Sequence, residues 1–451
     1  MAIAPEETAI QDQKLAVRLQ ATLEGMFAAF PWCVRVEDWN GHVYDLGGSA
    51  PHWSGWDHMS IRLSPDGGRD LLGLNMMKFL DRFVSGEVGM EGNLYLLGEI
   101  RNYLKLKMRP IDIIKSRMGS RVMEAPERAQ SSVKSHYDIP QRSLFYLDRV
   151  YQSYSCAMWE EPDDLGLDGL LRVGNGEHDD WDSLERAQWK KFAHAADFLA
   201  PEKGETVLDV GCGYPGFLQV MMDRHPGAER VVGWTHSTNQ VQEGEVMLKE
   251  YDPARFELNE GDYREDNRPY DHIHSTGMIS HVGPPGKDSG LLNYVQHIRS
   301  RIRTGGRYVH HALMDTCHEA PLFDYVGPAF NRKYVWPGFY WYTLGEHIKT
   351  LEENGFQVVQ VLNLSPHYGK TTRAWYERMV QDSDRFIKHA SESTYRAWQF
   401  FLAGSSGSLF ARQAHCYRVL CEATDIDVPS RTVSDPAQNA ISKIPIQVGR
   451  R

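Results

Sequence analysis

TVLDVGCGYPG, Thr206 to Gly216, joins a short apolar run of strand type to a turn carrying three glycines. Val207-Leu208-Asp209-Val210 breaks at Gly211, and Gly213 and Gly216 follow before the apolar, helix-like FLQVMMDRH. Strand, glycine-rich turn and helix in that order make a nucleotide-site geometry. The glycines let backbone approach a ligand closely, and the helix start offers unpaired N–H groups. A dinucleotide and S-adenosylmethionine both suit such a turn, as does a tight turn with no ligand. The next strand narrows the choice. RVVGWTHSTNQ places Thr235, Ser237 and Gln240 where a dinucleotide site usually shows an acidic residue for the ribose. ARFELNE then leads to Gly261-Asp262-Tyr263, where a carboxylate or backbone can meet an adenine, and DHIHSTGM opens into a loop. The expectation is an α/β fold, a doubly wound Rossmann-like methyltransferase domain with its ligand across the carboxyl ends of the strands.

A chain of 451 residues is too long for one ordinary core, so two domains are expected. Hydrophobic content of 41% and charged content of 24% fit a globular protein outside the bilayer. A formal charge of −11 argues against bulk nucleic-acid binding. Six scattered cysteines (Cys33, Cys156, Cys212, Cys317, Cys416, Cys421) show no paired metal spacing and read as reduced thiols, with no metal expected. The polar, acidic start MAIAPEETAIQDQK is unlike a secretory signal, and no apolar run approaches the roughly 20 residues that span a bilayer. A cytoplasmic protein, at most peripheral to a membrane, is expected.

KLAVRLQATLEGMFAAF repeats its apolar positions at helical spacing, and CVRVEDW, HVYDLG and SIRLS follow as short strand-like pieces, giving a small α+β unit. Helix signals then flank a turn marked by Gly86, Gly89 and Gly92. Nine basic residues against three acids between Arg101 and Lys134 are out of character for an acidic chain. Contact with anionic lipid headgroups and a solvated linker explain them equally well. Breaker-rich MEAPERAQSS places a domain boundary near residue 125, giving units of 1–125 and 126–424 and a loose tail from 425. The acidic run after Trp159 reads as an exposed loop. Nine large aromatics between Phe323 and Tyr342 interrupt the strand–helix alternation and suggest a lid over a long apolar tunnel. Helices are expected over 372–388 and 393–412, before a last strand HCYRVLCEAT.

SHYDIPQRSLFYLDRVYQSYSCAMW, residues 135–159, closely resembles the HYD…YSCAYW signature of cyclopropane-fatty-acid synthases and mycolic-acid methyltransferases. The resemblance continues through VLDVGCG, GMISHVGP and TTRAWYERM to FARQAHCYRV, over about residues 130–422, and the N-terminal unit resembles the lipid-associated domain of the synthases. It implies S-adenosylmethionine as cofactor, with Tyr154 and Ser155 at the methionine end, Gly211 and Gly213 beneath it, and Asp209 just before them as a further cofactor-binding residue. Thr235, His236, Ser237 and Gln240 are implied along the ribose, Asp262 and Tyr263 near adenine, and Thr276 or Gly277 under the sulfonium. A bicarbonate base is implied near Cys156, His311 and Tyr376. At the family's glutamate stands Ser280, in Gly277-Met278-Ile279-Ser280-His281, so proton relay through that carboxylate is lost. His281, His310, His311 and Tyr376 stay as candidate bases or orienters.

The reaction so implied is methyl(ene) transfer to the double bond of an unsaturated phospholipid acyl chain at the inner face of a membrane, giving a cyclopropane. A methyl-branched or methylene product is the rival, and N-methylation of a small amine is a further reading. A homodimer is left open.

Overall fold

The computed structural model describes residues 5–104, 144–159, 183–287, 289–316, 321–336 and 338–425, with only backbone considered for 5–10 and 321–325. The basic stretch from residue 105 on, His136 and Tyr137, the boundary near 125, the acidic run 160–182 and the tail from 426 lie outside the described residues.

A seven-stranded sheet organises the larger part. Its strands are β5 (Thr206–Val210), β6 (Arg230–Thr235), β7 (Phe256–Glu260), β8 (His272–Thr276), β9 (Arg307–Met314), β10 (Phe356–Asn363) and β11 (His415–Ala423), in the order β10-β11-β9-β8-β5-β6-β7. β5, β6, β7, β8 and β9 run parallel, and β11 lies antiparallel between β9 and β10. Winding proceeds from β5 toward β7 and then returns to β8 on β5's other side. The carboxyl ends of β5 and β8 therefore form a switch point, where loops diverge and leave a crevice. Buried Val207, Leu208 and Val210 explain why β5 reads as a continuous apolar run. The doubly wound expectation is met.

The smaller part precedes it. Helix α1 (Pro5–Phe27), strands β1 (Cys33–Glu37), β2 (Val43–Leu46) and β3 (His58–Arg62), helices α2 (Pro65–Leu72) and α3 (Met76–Ser85), strand β4 (Gly89–Gly92) and helix α4 (Ile100–Tyr103) follow in order. The four strands form a mixed sheet, β2-β1-β3-β4. The glycines at 89 and 92 thus bound a strand, not the turn that their spacing suggested; only Gly86 caps a helix, with φ of 86°.

The helices of the larger part are α5 (Ser183–Leu199), α6 (Gly216–Arg224), α7 (Thr238–Met247), α8 (Leu291–Arg301), α9 (Pro321–Tyr334), α10 (Leu344–Glu353), α11 (Ser365–Gln381), α12 (Ser383–His389) and α13 (Glu392–Phe410). Helix α11 begins seven residues before the expected Thr372. Pro366 sits in its first turn, where a missing N–H costs nothing, and at Gly369 the Phe410 ring packs where a Cβ would stand, so the helix carries a glycine there.

One apolar core runs through both parts. It joins Val34, Met59 and Phe83 to Cys156, Trp375 and Trp398. At the seam the turn Leu94–Gly98 meets α13 backbone to backbone: a Cβ on Gly407 would lie 1.9 Å from the Tyr95 carbonyl oxygen, and one on Gly98 would lie 2.1 Å from Gly407.

Candidate active site

Two cavities meet beside the switch point. The larger, about 800 Å³, is apolar and is walled by both parts of the chain. The small sheet contributes Val36, Met59 and Ile61, α3 contributes Phe79, and the segment before α10 contributes Trp336, Phe339, Tyr340 and Trp341. The aromatic insertion therefore does cover an apolar cavity, though Phe330 packs on Phe400 instead (4.4 Å between centroids) and Tyr342 donates to the Gly283 carbonyl at 2.8 Å. The side chains of Phe323 and Tyr325 lie outside the described residues. The smaller pocket, about 40 Å³, is lined by Tyr154, Ser155, Cys156, Thr276, Gly277, Ser280, His281, His311 and Cys416. Leu313, Trp336 and Tyr368 line both, so the two adjoin there.

The segment carrying Tyr154, Ser155 and Cys156 is held by α11 and α5. Ala157 N–H donates to Thr371 Oγ1 at 3.1 Å, Trp159 N–H donates to His367 Nδ1 at 2.9 Å, and the Lys191 ammonium donates to Ser155 Oγ at 2.8 Å. Tyr154 stacks on Trp375, with centroids 4.8 Å apart and planes 9° apart. Lys191 is buried, and that burial pulls its ammonium well below the ordinary lysine range against the opposing pull of Asp148. Gly277, at φ of 80°, donates its N–H to the His311 carbonyl at 2.9 Å, which fixes the loop after β8 against β9.

His311, Cys156 and Cys416 are all buried, with their ring-nitrogen and sulfur atoms within 4.8 Å of one another. His311 Nε2 lies 3.1 Å from Cys416 Sγ, and Cys156 Sγ lies 3.2 Å from the Ala157 carbonyl. Directly opposite His311 in the β9–β11 ladder is Arg418, wholly buried. Burial, then the neighbouring guanidinium, holds His311 well below the ordinary histidine range. His281 is pushed down to about 4, first by burial and then by His236.

The cofactor candidates fall at the carboxyl ends of adjacent strands. Gly211 follows β5, His236 and Ser237 follow β6, Asp262 and Tyr263 follow β7, and Gly277 follows β8. Gly211 has φ of 73°, and a Cβ there would meet the Met278 side chain at 2.6 Å; Gly213 has φ of 57°. Ser237 caps α7 through Gln240 N–H, and Thr235 Oγ1 donates to Gln240 Oε1 at 2.6 Å. The Asp262 carboxylate caps the turn at Tyr263 and pairs with Arg264, and Tyr263 meets His297 edge-on at 5.2 Å. These residues form a backbone cradle under a crevice, with hydroxyl and amide groups along one side, which fits an adenosyl ligand.

Three assignments change. Asp209 does not reach the crevice: it is buried with its carboxylate 2.7 Å from His274 Nδ1, and His274 stacks on Phe217 at 3.8 Å. Tyr376 lines neither cavity and packs against Tyr95 (5.4 Å), whereas Tyr368, two turns earlier on α11, lines both. His310 points to the opposite face of β9, between the Tyr308 hydroxyl (2.9 Å) and His347 (2.8 Å). Cys416, Arg418 and Tyr368 are the residues that sequence reasoning missed.

The profile of the mycolic acid cyclopropane synthetase family matches residues 124–419. A probable fatty acid methyltransferase of Pseudomonas putida is 27% identical, with 82% of this chain and 87% of that protein covered. The cyclopropane-fatty-acyl-phospholipid synthase of Escherichia coli is 26% identical over 66% of this chain and 69% of its own length. A sphingolipid C9-methyltransferase of Candida albicans is 29% identical, and this chain spans 53% of its length. Among solved structures, a cyclopropane synthase from Mycobacterium tuberculosis shares the fold with a TM-score of 0.56 and 21% identity, covering 67% of this chain and 99% of that one. The glycine turn, the seven-stranded sheet and the profile agree: the chain belongs to the mycolic acid cyclopropane synthetase family of S-adenosylmethionine-dependent methyltransferases.

Proposed function

We propose that the protein transfers a methyl(ene) carbon from S-adenosylmethionine to the double bond of an unsaturated phospholipid acyl chain, closing a cyclopropane. The observation that carries this reading is the junction at Leu313, Trp336 and Tyr368, where an apolar cavity of about 800 Å³ adjoins a small pocket holding Ser155, Cys156, Ser280, His281 and His311 beside the cofactor crevice. A small amine has no need of such a cavity. A flexible hydrocarbon fills it and gains roughly 25 cal/mol for each Å² of apolar surface removed from water.

When bound, S-adenosylmethionine supplies an electrophilic sulfonium methyl group. The residues of this chain do the rest. Gly211 and Gly213 give the backbone room for the ligand, and Tyr154 with Ser155 borders the methionine side. Trp336 and Tyr368 hold the alkene at the junction, exclude water, and offer aromatic faces to the positive charge that develops on the chain. The wall of Cys156, His311 and Cys416 suits a small anion such as bicarbonate as proton acceptor, with Tyr368 taking the place first given to Tyr376.

Ser280 supports a second reading, a methylene or methyl-branched product, because among the described residues no carboxylate lines the small pocket. Incubation with labelled cofactor and mixed unsaturated phospholipids, followed by mass spectrometry of the released chains, separates the two. The expected product has lost its double bond; one that still takes up hydrogen over a mild catalyst would sink ring closure. Ser280→Glu should keep or raise the cyclopropane fraction, and a fall in that fraction with cofactor affinity intact would count against it.

A further inference from the structure

The guanidinium of Arg418 is wholly buried, and among the described residues no carboxylate touches it. A buried charge ordinarily has a counter-ion. Here the acceptors are two imidazoles and a thioether: Nη1 lies 3.0 Å from His194 Nδ1 and 3.3 Å from Met158 Sδ, and Nη2 lies 3.4 Å from His311 Nδ1. Its buried Nε has no partner among the described residues.

Arginine has only donors to offer. Each ring nitrogen it meets must therefore accept, and His311 Nδ1 carries no proton. The neutral ring then bears its single proton on Nε2, which points at Cys416 Sγ, 3.1 Å away on the wall of the small pocket. The other groups facing the ring do not favour a second proton. They are Lys191 on α5, His274 on β8, His310 next to it on β9, Cys416 on β11, and Cys156 on the segment before α5. The Asp209 charge is engaged by His274.

We infer that Arg418 is a positioning residue that fixes His311 with its proton on Nε2, so that the ring serves the pocket as a hydrogen-bond donor and not as the proton acceptor. The pocket wall around it carries hydroxyl, thiol and imidazole groups, and Ser280 adds no negative charge there. The place of this device in catalysis rests on the acyl-methylation reading; the tautomer itself does not.

Long-range proton–nitrogen NMR on the full chain labelled at histidine nitrogen tests the tautomer directly. His311 should show an unprotonated Nδ1 and a protonated Nε2 across about pH 5 to 8. Arg418→Met should remove the donor that keeps Nδ1 unprotonated, so that the Nδ1-protonated form appears in the spectrum, whereas Arg418→Gln, which keeps an N–H donor, should hold the wild-type state. A wild-type ring protonated on Nδ1, or cationic near neutrality, overturns the inference.

A kinetic comparison covers the case in which the Arg418 variants do not fold. The amide nitrogen of His311→Gln sits near the Nε2 position and can still donate; that of His311→Asn sits near Nδ1. The glutamine variant should exceed the asparagine variant in kcat by about tenfold, the worth of one hydrogen bond to a charged or developing charge. Equal losses of about 10²–10⁴ in both, as for removal of a general base, would overturn it. A wild type that methylates no acyl chain sinks the proposed activity while the ring spectrum still decides the tautomer.

Discussion

Gly211 carries the tightest constraint in the cofactor crevice. Its positive φ and the Met278 side chain 2.6 Å from any added Cβ forbid a side chain. Gly211→Val should lower calorimetric affinity for S-adenosylmethionine by about ten- to hundredfold, from roughly 1–3 kcal/mol of overpacking. Intact affinity in a folded variant would make the turn merely structural. Much of the site was legible because it lies in short contiguous runs: YSC, VLDVGCG and GMISH each bring their residues to one loop. Arg418 and Cys416 were not, since their place beside His311 depends on an antiparallel register between strands about a hundred residues apart. Tyr368 was missed for a local reason, the proline and glycine that seemed to delay the start of α11. Asp209 was misread because a carboxylate at a strand end looks alike whether it meets a ligand or a buried imidazole.

Helix α13 is unremarkable as a pattern, yet its AGSSGS run, Ala403 to Ser408, lets the Leu94–Gly98 turn lie against its backbone. Gly407→Ala should cost about 3 kcal/mol or more in urea unfolding, because a carbonyl 1.9 Å away cannot rotate aside as a side chain can. Gly404→Ala is the control: nothing lies within 4 Å of its Cβ, so helix propensity alone should apply, a gain of up to about 1 kcal/mol. Similar costs at both positions would mean that the seam is loose. Composition shows where small residues are; only the fold shows that one of two neighbouring glycines is indispensable.

Buried histidines set the acid limit of the whole molecule. His52 and His367 are pushed down to about 4 and His347 to about 3, each chiefly by burial. Between those values and the ordinary 6.5 the unfolded chain binds protons that the folded chain does not. Stability is therefore fully present above about pH 6.5 and lost as pH falls toward 4, by on the order of 1–3 kcal/mol for each buried ring. Urea midpoints at pH 7 and pH 5 check this, and an unchanged midpoint would refute it. At this scale the doubly wound sheet followed from one strand–glycine–helix run and the alternation after it. That both parts of the chain share one core did not, because no sequence pattern records which apolar faces meet.

The cavity wall built from β1 and β3 has a consequence for what the protein counts. Under the proposed activity the reacting carbon is held at Trp336 and Tyr368, and the distance to Val36, Met59 and Ile61 becomes a yardstick for hydrocarbon length, set by a sheet that carries none of the chemistry. Raising the end stop should shorten the measure. Ile61→Phe is expected to shift products from a mixed phospholipid pool toward shorter acyl chains, or toward double bonds nearer the terminal methyl, while leaving affinity for S-adenosylmethionine unchanged. An unaltered length distribution would show that the yardstick lies elsewhere. If the shift appears, the selectivity of this enzyme can be re-gauged from strands that never touch its cofactor.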